Sequence, residues 1–149
     1  MRSKVSEIKV SYSEKIPVRL RYKVNSSQAV AEVLYRYWDR ETIQLNETFK
    51  VVLLNNGNRI KGIYEVSKGG ITGTMVDLRI LFAVILKSLS VAIILAHNHP
   101  SGTLRASKAD EDLTHKIKRA AELFDVKVLD HILLAPNGNY YSFADNGLL

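Results

Sequence analysis

The spacing of apolar residues along the chain predicts an alternating series of helices and strands. Three segments carry apolar residues three and four positions apart, which is the spacing of one helix face. The predicted helices cover residues 26–38, 77–89 and 107–124. Short apolar or alternating runs bounded by turn residues predict strands at 49–54, 59–66, 91–96, 126–134 and 140–143.

This order of elements indicates an α/β fold with three layers, α/β/α, around a mixed sheet. Hairpins supply antiparallel pairs and helical crossovers supply parallel ones. The first 25 residues contain two stretches of alternating apolar and polar residues on either side of Glu14-Lys15-Ile16-Pro17. Residues 1–25 are therefore predicted to form a basic β-hairpin that extends a domain of residues 26–149. An apolar face on such a hairpin makes a homodimer a reasonable arrangement.

Composition restricts the chemistry that the chain can perform. It contains no cysteine, so disulfides, thiolate metal sites and a cysteine nucleophile are excluded. Histidine and carboxylate remain as zinc ligands. The chain begins without the apolar core of a signal peptide and has no apolar run near the roughly 20 residues that span a bilayer. We expect a soluble, cytoplasmic protein without membrane contact.

The net charge of +6 is concentrated at the start of the chain. Residues 1–23 hold seven basic and two acidic side chains, an excess of five. Such a segment can contact the phosphates of a nucleic acid. A solvated strand face is the simpler explanation and is preferred, because solubility alone accounts for modest basicity.

Two histidines and an aspartate carry the strongest chemical signal. His97 and His99 come at the carboxyl end of the strand 91–96, and side chains two apart on a strand share a face. Asp110 lies in the first turn of the helix that Ser107 opens. Two imidazoles and a carboxylate are the ligands of a catalytic zinc with a fourth position left for water. Ser107 and Asp110 also fit a capping box, and the two explanations are compatible.

The motif His97-Asn98-His99-Pro100-Ser101-Gly102, followed by Ser107-Lys108-Ala109-Asp110, resembles the JAMM motif of the JAB/MPN metalloproteases, and their RadC branch in particular. The resemblance runs from about Ser26 to the end of the chain. It implies a JAB/MPN-like fold, which is similar to that of cytidine deaminases. Shorter matches occur at Glu47-Thr48-Phe49, Gly73-Thr74, Asp130-His131 and Tyr141-Ser142-Phe143. The chain departs from the family at Ala106, where proline is usual, and at Arg79-Ile80, where Arg-Glu is frequent.

The resemblance implies a role for each matching residue. Zinc would be held by His97, His99 and Asp110. Glu47 would be the general acid and base, and Ser107 would stabilise the tetrahedral intermediate. Glu65, on the strand that pairs with the one after Glu47, is a second candidate for the base; Glu47 is preferred. Asp130-His131 is interpreted as a buried hydrogen-bonded pair or as a group that orients the metal ligands.

The leading hypothesis is a zinc-dependent hydrolase that cleaves a peptide or isopeptide amide bond in a polypeptide substrate. The alternative is a RadC-type accessory protein of DNA repair that binds nucleic acid through the basic first segment. Longer family members carry a helical module before the catalytic domain, and residues 1–25 leave no room for it, so a short form is expected. A third hypothesis, an interaction module that binds zinc without turnover, is disfavoured because the motif is intact. A nucleotide deaminase is disfavoured because that chemistry normally needs cysteine ligands.

Overall fold

A computed structural model describes residues 1–70 and 75–149 of the chain, so the match at Gly73-Thr74 lies outside the described residues. The helices are α1 (Ser27–Tyr37), α2 (Leu78–Lys87) and α3 (Lys108–Glu122). The strands are β1 (Thr48–Leu54), β2 (Ile60–Lys68), β3 (Ala92–Asn98), β4 (Lys127–Leu134) and β5 (Tyr140–Ser142). No helix within these ranges is both long and apolar enough to cross a bilayer.

The strands form one mixed sheet in the order β2-β1-β3-β4-β5. Strand β1 is antiparallel to both β2 and β3, and β5 is antiparallel to β4. Strands β3 and β4 are parallel, and α3 makes the crossover between them. The predicted mixed sheet is confirmed, and β3 lies at its centre with both neighbours in place.

Helices cover both faces of the sheet, which confirms the three-layer α/β/α arrangement. On one face, α1 packs on even-numbered strand positions such as Val52, Ile94 and Ile132. On the other face, α2 and α3 pack on odd-numbered positions such as Val51 and Ile93. Strand β3 is consequently buried along its whole length. The odd-numbered face of β3 continues into His97, on the side of α2 and α3.

The helices begin where their caps predict and end earlier than their apolar patterns suggest. Ser26, Asp77 and Ser107 each accept a backbone hydrogen bond as N-caps. Leu89 and Phe124, the last residues of the predicted helices 77–89 and 107–124, lie beyond the helix ends and are 65% and 50% exposed. Leu89 and the residue after Phe124 adopt positive φ angles of 55°, and left-handed residues end a helix and turn the chain away from its apolar stripe.

The hairpin predicted for residues 1–25 is wrong. Residues 1–17 contain no strand, Val18–Leu20 form a single 3-10 turn, and Lys23 makes one isolated bridge to Arg59. Ile8 and Val10 are 85% and 77% exposed. A two-stranded hairpin is marginal in water unless its apolar face is covered, and no other described segment covers this one. The division at residue 25 and the homodimer stay predictions.

Candidate metal centre

The two motif histidines project from the end of β3 toward one point. Strand β3 runs through Asn98, so His97 is held in the sheet between Phe49 of β1 and Leu133 of β4. The side chain of His97 is 2% exposed and that of His99 is 16% exposed. Their Nε2 atoms lie 2.9 Å apart. Two imidazole nitrogens this close share a single proton or a single cation.

Asp110 reaches the same point from the first turn of α3. Its Oδ1 atom lies 3.4 Å from Nε2 of His97, and its Oδ2 atom lies 3.6 Å from Nε2 of His99. The capping box is also formed: the Asp110 amide donates to the Ser107 hydroxyl oxygen at 3.0 Å, and the Ser107 amide donates to Oδ2 of Asp110 at 2.9 Å. The box therefore fixes the carboxylate beside the histidines, and the two explanations of this motif coexist.

Ser107 itself is exposed, and its hydroxyl oxygen is occupied by the cap. Because that oxygen accepts, its own proton remains available, and among the described residues it donates to none. The catalytic role implied for Ser107 stays a prediction.

Glu47 joins the cluster from the residue just before β1. Its Oε1 atom lies 3.6 Å from Nε2 of His97. The backbone on both sides of Glu47 is fixed, because the side chain of Asn98 accepts from the Thr48 amide and donates to the Asn46 carbonyl. Glu65 is elsewhere: it is exposed on β2, opposite Lys50. Of the two candidate bases, the structure brings only Glu47 to the histidines.

The donor atoms of Glu47, His97, His99 and Asp110 all lie within 4.8 Å of one another. Imidazole and carboxylate are the ligands that zinc and related divalent metals accept when no thiolate is present. Nδ1 of His99 donates to the Thr103 carbonyl at 2.7 Å, so neutral His99 turns its Nε2 lone pair toward the cluster. The chemistry of this donor set fits a divalent metal ion.

Interactions within the cluster shift the pKa values of His99 and Asp110. The hydrogen bond to Asp110 raises the pKa of His99, although burial of the ring opposes it. Burial alone raises the pKa of Asp110, but the interactions of its carboxylate with the imidazoles of His97 and His99 outweigh it and hold that pKa well below its usual range. The Asp110 carboxylate is consequently ionised, and a proton on His99 would compete with a metal ion for the same atoms.

His131 supports His97 from the neighbouring strand. It is fully buried on β4, and its Nε2 atom lies 2.8 Å from Nδ1 of His97. Its ring stacks on Phe143 with centroids 4.6 Å apart. Burial lowers the pKa of His131 well below that of an exposed histidine. His131 therefore contacts the side of the His97 ring that faces away from the cluster, as a residue that orients a candidate metal ligand would.

The Asp130 carboxylate accepts hydrogen bonds from two backbone amides and one serine hydroxyl. It accepts from the His131 amide at 2.7 Å, from the Ser142 hydroxyl at 2.6 Å and from the Ala144 amide at 3.0 Å. Burial raises the pKa of this carboxyl. Asp130 therefore ties β4 to the chain after β5 and does not bond the His131 ring.

Two residues that contact the site, Thr114 and Asn98, were not singled out by the sequence patterns. Thr114 is a buried polar residue on the α3 stripe that also holds Ile117 and Ala121. Its position one turn after Asp110, among apolar residues, is a signal that could have identified it. Asn98 stands between the two motif histidines, and the two-residue period of a strand turns its side chain to the opposite face.

Comparison with known proteins agrees with the motif. A family model described as RadC-like JAB domain matches residues 24–148. A UPF0758 protein of Flavobacterium johnsoniae is 48% identical over 103 residues, which are 69% of this chain and 44% of that protein. A UPF0758 protein of Acidovorax sp. (strain JS42) is 40% identical over 132 residues, 89% of this chain and 54% of that protein. The chain thus spans about half the length of the curated relatives it matches.

Proposed function

Because the chain belongs to the RadC-like JAB domain family, we propose that it is a zinc-dependent hydrolase that cleaves a peptide or isopeptide amide bond in a polypeptide. The observation that carries this proposal is the position of Glu47. Its Oε1 atom faces the same point as the three candidate ligands, 3.6 Å from Nε2 of His97. A carboxylate beside a metal site with an open position is what hydrolysis by an activated water requires.

Zinc would be held by Nε2 of His97, Nε2 of His99 and the Asp110 carboxylate, three ligands that leave a position open. When bound, the ion supplies a Lewis acid that acidifies an attacking water and polarises the amide carbonyl. A two-histidine, one-carboxylate set also accepts iron(II), so the identity of the metal belongs to the proposal, and elemental analysis would determine it.

The protein's own groups handle the protons. Glu47 accepts a proton from the attacking water as the water oxygen bonds to the amide carbon. It then returns this proton to the amide nitrogen as the C–N bond breaks and the amine leaves. The Ser107 hydroxyl, whose proton the cap does not use, donates a hydrogen bond to the negative charge that develops on the carbonyl oxygen. The products are a carboxylic acid and an amine, so one water is consumed.

Elemental analysis of the purified protein tests the proposal first. We expect about one zinc per chain in the wild type, and loss of zinc in His97→Ala and Asp110→Ala. His115→Ala is the matched control, because His115 is an exposed histidine on α3 that contacts the Leu148 carbonyl. Loaded wild type should then cleave members of a panel of peptides and isopeptides.

Two outcomes would overturn the proposal. One is a wild type without bound metal even after zinc is added back. The other is amide cleavage that persists at the wild-type rate in Asp110→Ala. A stoichiometric metal other than zinc would keep the hydrolase and replace the ion.

The exposed basic segment supports a second candidate function, binding to nucleic acid. Residues 1–20 are all exposed, so their cations are accessible to phosphates. This candidate predicts binding to duplex DNA that weakens steeply with salt, persists in Asp110→Ala and is lost when residues 1–11 are removed. Absence of binding at about 0.15 M salt would eliminate it.

A further inference from the structure

A chain of hydrogen bonds runs behind the metal centre from α3 to β3. The Thr114 hydroxyl oxygen lies 2.7 Å from the carbonyl oxygen of Asp110 and 2.6 Å from Nδ1 of His131. Nε2 of His131 lies 2.8 Å from Nδ1 of His97. Thr114, His131 and His97 are all buried. We refer to these three residues as the hydrogen-bond chain.

The direction of each hydrogen bond in the chain follows from its first member. A carbonyl oxygen only accepts, so the Thr114 hydroxyl must give its proton to the Asp110 carbonyl. The hydroxyl oxygen can then only accept from His131, whose Nδ1 must carry hydrogen. This leaves Nε2 of His131 to interact with His97.

The surroundings of His131 favour its neutral form. The residue is 0% exposed, Phe143 stacks on its ring, and Phe49 packs against it edge-on with centroids 5.5 Å apart. Neither ring nitrogen contacts a carboxylate. A buried charge without an opposite charge is strongly disfavoured. Neutral His131 with hydrogen on Nδ1 has a lone pair on Nε2, which accepts from Nδ1 of His97.

We propose that Thr114 sets the tautomer of His97 through His131 and thereby makes Nε2 the metal-binding nitrogen of His97. Thr114 is a positioning residue, because it touches neither the metal position nor a substrate. The inference deepens the proposed zinc site and rests on it for its functional meaning. In the opposite tautomer, hydrogen on Nε2 of His97 would point at the cluster and block the metal.

The hydrogen-bond chain also connects two ligand-bearing elements. Thr114 lies one helical turn after Asp110 and bonds its carbonyl, so the carboxylate ligand on α3 and the imidazole ligand on β3 are joined through β4. The capping box holds Asp110 from the other side. A change at Thr114 therefore alters the metal site without altering a ligand.

Imidazole nitrogen NMR of the metal-free full chain tests the tautomer directly. Long-range proton–nitrogen spectra distinguish hydrogen on Nδ1 from hydrogen on Nε2 for each ring. We expect both His131 and His97 to carry hydrogen on Nδ1 in the wild type. In Thr114→Val, which has nearly the same shape without a hydroxyl, both rings should shift toward the other tautomer. Thr114→Ser should restore the wild-type spectrum.

Zinc affinity, measured by competition with a chelator, provides a second measurement. Loss of a partner behind a ligand typically weakens metal binding about 10- to 100-fold, and we expect this for Thr114→Val. Thr114→Ser should stay close to the wild type. The matched control is Ser88→Ala, which removes another buried hydroxyl. This hydroxyl is hydrogen-bonded to Ser90 and to the Ile85 carbonyl, and Ser88 lies on none of the elements that carry the metal centre. A merely structural effect would lower affinity equally in Ser88→Ala.

The proposal is overturned if wild-type His97 carries hydrogen on Nε2, or if Thr114→Val leaves both tautomers and the zinc affinity unchanged. The wild-type spectrum can still overturn the proposal if Thr114→Val does not fold. Failure of the proposed hydrolase is distinguishable: it would appear as no zinc binding by the wild type, or as amide cleavage that persists in Asp110→Ala, while the tautomers remain readable in the metal-free protein.

Discussion

The side chain of Asn98 bonds the backbone amide of Thr48 at 2.7 Å, across the end of the sheet from the motif strand to the residue after Glu47. The NH2 group of the Asn98 side chain donates to the carbonyls of Ile43 and Asn46, at 2.8 and 2.9 Å. Asn98 is fully buried. One residue between the two motif histidines therefore holds the loop that delivers the candidate base.

Replacing this amide should affect both stability and turnover. Asn98→Ala leaves one donor and two acceptors of the backbone without their partner, and we expect a loss of about 3 kcal/mol in the free energy of unfolding. The three ligands remain, so zinc content should stay at about one per chain while kcat falls because Glu47 is less well held. Urea unfolding and zinc analysis measure the two effects.

Asn55→Ala is the control for that experiment. Asn55 accepts from the Gly57 and Arg59 amides in the turn between β1 and β2, away from the metal centre. It should lose about 1 kcal/mol of unfolding free energy without change in kcat. Equal losses of stability and activity in the two variants would contradict the special position of Asn98.

Glu47→Gln should separate a base from a ligand. An amide cannot take the proton of the attacking water, so kcat should fall about 100- to 10,000-fold with zinc affinity nearly retained. Glu65→Gln removes an exposed carboxylate from β2 and should leave kcat unchanged. Steady-state kinetics and chelator competition measure both. A large loss of zinc affinity in Glu47→Gln would mean that Glu47 is a fourth ligand in a closed, structural site.

Ser107→Gly should separate capping from catalysis. Glycine is nearly as good an N-cap, so the variant should lose only a few tenths of a kcal/mol of unfolding free energy. Loss of the hydroxyl donor should lower kcat about 100- to 1,000-fold. Ser26→Gly makes the same change at the cap of α1, where Ser26 accepts from the Ala29 amide, and should leave kcat unaffected. Wild-type turnover in Ser107→Gly would restrict Ser107 to the cap.

Zinc binding should strengthen as the pH rises. The pKa of His99 lies above the ordinary 6.5, mainly because of its hydrogen bond to Asp110, so metal-free His99 keeps its proton to a higher pH than free imidazole does. Zinc must displace that proton. The affinity should therefore increase with pH until it levels off above 6.5, whereas Asp110, with its lowered pKa, contributes no dependence there.

Chelator competition across this pH range measures the effect. Asp110→Asn removes the carboxylate that raises the pKa of His99, so its weaker zinc binding should level off at a lower pH. A wild-type affinity that does not change with pH between about 6 and 8 would contradict the proposed competition for His99.

Local patterns were sufficient for most of the helices and strands. The caps at Ser26, Asp77 and Ser107 act on backbone amides within three residues, and the strand periodicity that puts His97 and His99 on one face acts over two. The prediction of a hairpin in residues 1–25 was wrong because the stability of a hairpin depends on what covers its apolar face, and no local pattern contains that information. Leu89 and Phe124 are exposed because α2 and α3 end before them, at Lys87 and Glu122, and a left-handed residue, Leu89 itself or the one after Phe124, then turns the chain away.

The motif residues of the candidate site were recognisable from spacing and residue type, but their support was not. The preference for Glu47 over Glu65 depends on which strand end meets β3, and the contact of His131 with His97 depends on the register of β4. Thr114 looks like an ordinary buried helix residue until that register is known. These relationships join positions 17 to 50 residues apart.

By itself the sequence determined the α/β class, the mixed sheet and the cluster of histidine and carboxylate donors, because each depends on periodicity or on short, rigid spacing. Only the tertiary structure decided which glutamate faces the donors, which nitrogen of His97 does so, and that residues 1–17 form no strand. These outcomes depend on strand register and burial, where a shift of one residue turns every side chain to the opposite face.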